Sequence, residues 1–102
     1  MVIGACTLEL DLPGMSSLKE KRSLIKSLIV RLHKEFNVSV AEVDLLDAWQ
    51  STILGISVVS TSAVHAQNLL NNLVRWLETH RPDLEVVDHY VELISFSSDA
   101  GH

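Results

Sequence analysis

Residues 38–60, VSVAEVDLLDAWQSTILGISVVS, contain two β-rich runs, 38–46 and 50–60, joined through Leu46, Asp47, Ala48 and Trp49. Branched side chains such as Val and Ile suit a pleated strand. The short separation leaves room for a turn and none for a crossover helix, so the pair predicts an antiparallel hairpin. What flanks the hairpin decides the fold.

Upstream, Ser17 and Glu20 have the spacing of a capping box, in which a hydroxyl and a carboxylate each satisfy a free amide at a helix start. A helix from about 18 to 36 follows. At roughly 100° per residue, Leu18, Leu24, Ile25, Leu28, Ile29, Leu32 and Phe36 share an apolar arc, with Lys19, Arg22, Ser23, Lys26, Ser27 and Lys34 opposite. Lys21 falls inside the apolar arc, and its stem is expected to cover the core while its amine extends past the helix end. Downstream, Ser60-Thr61-Ser62 offers N-caps for a second helix over about 62–80, closed by Arg81-Pro82 because proline cannot continue the hydrogen-bond ladder.

A strand is expected at each end of the chain. Residues 2–12 alternate, with Val2, Cys6, Leu8, Leu10 and Leu12 on one parity, and Pro13-Gly14 turns the chain. Residues 84–95 form the last strand, with Val87, Val91 and Leu93 on its core parity, before a polar tail over 97–102 that is expected to fray. The order β-α-β-β-α-β predicts an α+β ferredoxin-like sandwich, two helices on one face of a four-stranded antiparallel sheet. Its first and third strands would be central. Glu42, Asp44, Asp88 and Glu92 would then lie on outer strands, where charge discourages edge-to-edge pairing.

The 102 residues read as one domain, 1–102, and 47% hydrophobic against 21% charged residues argues for a globular chain over a disordered one. The start MVIGACTLEL has no basic leader before an apolar run, and no run approaches the roughly 20 apolar residues of a membrane span. Cytoplasmic residence and no membrane partner are the resulting expectations. Cys6, the only cysteine, is expected to be a buried reduced thiol.

A net charge of −5 disfavours indiscriminate binding to nucleic acid. Yet six of the eight Lys and Arg residues fall between 19 and 34. Lys19, Arg22 and Lys26 are separated by three and then four residues, so they project together and suit successive phosphates. They crowd a helix start, where the helix dipole already favours anions. Trp49-Gln50 is a second feature, read first as a lid on the end of the core and second as an interface anchor. The parity opposite the helices, with Ile3, Ala5, Thr7 and Glu9 beside Ile53, Gly55, Ser57 and Val59, makes a half-apolar open face suited to dimerisation. It lacks the aromatic platform of an RNA-recognition sheet.

The five histidines have no zinc-ligand spacing, and Asp88 and His89, adjacent in a strand, point to opposite faces. No phosphate loop, nucleophile elbow or dinucleotide fingerprint is present, so no metal, cofactor or catalytic residue is expected.

The combination of SLKEKRSLIKSLIVRL (17–32), FNVSVAEVD (36–44), DAWQ (47–50) and LGISVVS (54–60) resembles the YlxP-like family of small bacterial proteins of unknown function. The likeness spans Val2 to about Ile94. It implies a ferredoxin-like fold, and family genes often lie beside those for translation initiation factor two and ribosome-binding factor A, which implies a role near ribosome assembly or translation. The family motif positions fall on Ser17, Leu18, Lys19, Lys21, Arg22, Trp49 and Gln50. In some relatives the residue after Trp-Gln is basic; Ser51 stands there in this chain.

Two functions are therefore expected to compete. One is a binding protein that contacts structured RNA or a ribosomal particle through Lys19, Lys21, Arg22 and Lys26, with Trp49 and Gln50 nearby. The other is a homodimeric regulatory or protein-interaction module, joined through the open sheet face, that takes a partner or a small anionic ligand.

Overall fold

A computed structural model describes residues 1–97. The elements are β1 (Val2–Asp11), α1 (Leu18–Glu35), β2 (Ser39–Asp44), β3 (Ser51–Ser60), α2 (Ala63–His80) and β4 (Glu85–Ser95). They form one four-stranded antiparallel sheet in the order β2-β3-β1-β4, the ferredoxin-like arrangement expected from the sequence. The tail expected to fray over 97–102 lies, apart from Ser97, outside the described residues.

Alternation in β1 determines which side faces the core. Val2, Cys6, Leu8, Leu10 and Leu12 are buried, as are Leu54, Ile56 and Val58 opposite them on β3. From the helices, Ile25, Leu28 and Leu32 of α1 and Ala66, Leu70, Leu73 and Leu77 of α2 close the core. Near the far end of α1, Arg31 lies over the Trp76 ring of α2 at 5.6 Å, and Phe36 meets Trp76 edge-on at 6.2 Å.

Local signals terminate the elements much as their chemistry requires. Ser17 Oγ accepts the Glu20 amide at 3.1 Å, one half of the capping box. The other half differs: the Glu20 carboxylate accepts from the amide and hydroxyl of Ser16, both at 2.9 Å, one residue further back than the motif predicts. Those bonds hold the exposed Glu20 carboxyl below its usual range. Gly14 takes φ 88 in the turn after β1, a conformation costly for any side chain.

Two β-bulges adjust the edge strands, and alternation alone could not locate them. On β4 the register shifts opposite Glu9 and Leu10, so Val87 has no partner and Val86, rather than Val87, packs against the core with Val91. Leu93, expected inside, is partly exposed at the edge. On β2 the shift falls at Val43. The bulge tips Val43 across the sheet onto Gly55, where a Cβ would lie 2.7 Å from Val43 Cγ1, so only glycine accommodates it without displacement.

Lys21 departs most from expectation. Its amine does not extend past the helix end; the side chain is 1% exposed, and Nζ donates to Leu45 O at 2.6 Å and pairs with Glu42 Oε2 at 2.9 Å. Thr52 Oγ1 donates to the same carboxylate oxygen at 2.6 Å. A buried ammonium needs a counter-charge and acceptors because it has left water, and the hairpin supplies both. Leu45 in turn sits at φ 58, uncommon for a branched side chain, with its amide donating to Asp44 Oδ1 at 2.7 Å and its carbonyl held by Lys21.

Lys21→Ala should lower unfolding free energy by about 3 kcal/mol in urea titration, since it strands a largely buried carboxylate. Lys21→Met combined with Glu42→Leu should recover most of that loss.

Candidate functional site

With Lys21 committed to the interior, the cations that remain on the surface of α1 define the site. Lys19, Arg22 and Lys26 are exposed, lie on one helical face, and take part in no ion pair among the described residues. Arg31 is different, being paired with Glu35 at 3.1 Å and stacked on Trp76. The Lys21 contribution expected from the sequence is therefore corrected: its ammonium is out of reach of any solvent-borne phosphate. It builds the site without touching a ligand.

Below the cations, a groove of about 440 Å³ runs between α1 and the free edge of β2, bordered by Arg22, Lys26, Val30 and His33 and floored by Ile25 and Ile29. Glu42 closes its sheet side, already engaged by Lys21 and Thr52. Spacing arguments did not bring out His33 and Val30; the signal was their position one turn and more beyond Lys26 on the same helical face.

Trp49 is not a lid on the core. Its side chain is 53% exposed, on the loop that Lys21 anchors through Leu45. Gln50 Nε2 donates to Met15 O at 3.3 Å, and the Leu12 amide donates to Gln50 O at 2.8 Å, tying that loop to the segment leading into α1. Trp49 and the start of α1 therefore occupy one end of the molecule. Gln50 acts there as a tether.

The chemistry available is electrostatic, with one exposed indole. Among the described residues no group of three or more His, Cys, Asp or Glu is placed to hold a metal ion. Cys6 lies in the core, where burial pushes its thiol pKa up. No described helix is long and apolar enough to cross a membrane.

Comparison with known proteins places these features in a family. Residues 3–91 match the protein family of unknown function DUF503. The chain belongs to that family. It is also 34% identical over 84 residues to the uncharacterized protein YlxP of Bacillus subtilis (strain 168), covering 82% of this chain and 90% of the relative. The YlxP-like resemblance read from the motifs is thereby established for nearly the whole domain.

Cys6 should react with a thiol reagent such as Ellman's only when denaturant unfolds the chain. Because its folded pKa is raised, its contribution to stability is present below the ordinary thiol range and declines as pH rises toward the raised value. Alkaline urea titrations should show that decline.

Proposed function

We propose that this DUF503 protein binds structured RNA within a ribonucleoprotein, with the bacterial ribosomal particle as first candidate, through Lys19, Arg22 and Lys26. The observation that carries the reading is three exposed cations, in no ion pair among the described residues, on one face of a helix in a chain of net charge −5. Exposed charge of one sign, unneutralised by neighbours, is what phosphate contact requires, and such contacts position a protein on RNA without reading sequence. His33 extends the same face, and Trp49 offers an indole for stacking at the same end of the molecule. The reading places the protein in the cytoplasm. A homodimeric module joined through the open sheet face rests on apolar area alone.

Sedimentation with bacterial ribosomal subunits across a salt series tests the proposal. Binding should weaken steeply with salt, and Lys19→Glu with Arg22→Glu should abolish co-sedimentation while leaving circular dichroism unchanged. Lys26→Ala alone should reduce the log–log salt slope by roughly one. Undiminished co-sedimentation of the double variant would refute the assignment.

A further inference from the structure

The sheet face turned away from the helices has the opposite chemistry. No Lys or Arg occurs in any of the four strands. Register places Ala5, Thr7 and Glu9 of β1 beside Ser57, Gly55 and Ile53 of β3 on one side and Glu92, Tyr90 and Asp88 of β4 on the other. The centre is floored by small side chains, while Val43 rises on the β2 side and Tyr90 on the β4 side, enclosing a trough of about 490 Å³. A second hollow of about 300 Å³ shares Thr7, Val43 and Tyr90 with it and leads to Glu9, Asp44 and Asp88. The apolar rim is open to solvent, with Tyr90 63% exposed and Val43 52% exposed.

From this face we infer that the protein docks a lysine- or arginine-rich amphipathic helix of a partner protein, its apolar side on Ala5, Gly55 and Ser57 and its cations against Glu9, Asp88 and Glu92. Three inter-strand gaps separate β2 from β4, roughly 14 Å at ordinary sheet spacing. That width admits one α-helix, about 10–12 Å across with its side chains. A helix laid there would cover the sheet's second face, converting two layers into three. Charge complementarity selects the occupant. RNA is disfavoured by the acids and by the lack of an aromatic platform beyond Tyr90. A second copy is disfavoured in the two in-plane two-fold arrangements that keep the strands of the two sheets aligned. An axis along the strands sets the Glu9, Asp44 and Asp88 end against itself, and an axis across them buries that end on Ile3, Val59 and Ile94.

The probe is a fluorescent amphipathic helical peptide of leucine and lysine, read by anisotropy beside a twin with glutamate in place of lysine. Salt-sensitive binding of the lysine peptide is expected, with none for its acidic twin. Ala41→Trp should fill the trough from the exposed edge strand, and Asp88→Lys with Glu92→Lys should reverse its charge; each should weaken binding by at least about tenfold. All three positions are exposed, and unchanged circular dichroism and melting of the variants would confirm retained folds. Lys19→Glu with Arg22→Glu should leave peptide binding intact, separating this surface from α1. Four results would each overturn the inference: no binding, equal binding of the acidic twin, binding indifferent to Ala41→Trp, or a wild-type dimer in analytical ultracentrifugation that Ala41→Trp makes monomeric.

Discussion

A single ammonium group withdrawn from water organises one end of this molecule. Lys21 Nζ draws together the first turn of α1, the Glu42 carboxylate of β2, Thr52 of β3 through that carboxylate, and the carbonyl of Leu45 in the hairpin bend. Each partner depends on the others. Without Lys21, Glu42 would keep a largely buried carboxylate with only Thr52 to bond; without Glu42, the ammonium could not stay inside. The same bond stabilises a Leu45 backbone that is uncommon for its side chain, and that conformation sends the chain on to Trp49 and Gln50. One motif lysine thus sets the position of the loop beside the basic helix face.

This commitment separates the molecule's charges spatially. Glu42, the β2 acid nearest the α1 cations, is taken up by Lys21, while Glu9, Asp88 and Glu92 lie on the other side of the sheet. Lys19, Arg22 and Lys26 consequently enter no ion pair among the described residues although the chain as a whole is negative. A helix alone is about 10–12 Å thick, more than the screening length of about 8 Å at physiological ionic strength. The helix face and the open sheet face therefore present charge of opposite sign to solvent at once. Net charge, an average over both, predicts the behaviour of neither.

Most of the architecture was legible in residue order. Alternation in 2–12, the hairpin of 38–60, the apolar arc of the first helix and the caps of the second left a single economical topology, and the DUF503 match over residues 3–91 agrees with the motifs that suggested it. The candidate site was legible in part. Lys19, Arg22 and Lys26 share a face because helical spacing puts them there, whatever else the chain does. Lys21 was visible as an exception to the polar arc, but its meaning was not, because the acceptor that holds its amine lies 24 residues away. Trp49 was placed on the core by its type and is exposed, since the loop that carries it is aimed by long-range bonds.

By itself, then, the sequence determined what repeats: the periods of strands and helices, the caps, the turn at Pro13-Gly14, and the crowding of cations in one helix. Tertiary structure alone decided what happens where distant segments meet. It turned Lys21 inward, shifted register at Val43 and Val87, and made a trough from the small side chains of β1, β2 and β3 between the Val43 and Tyr90 sides. The physical reason is that periodicity is a local property of backbone geometry, whereas burial of a charge, a bulge and a concavity each depend on which partners the fold brings across the chain.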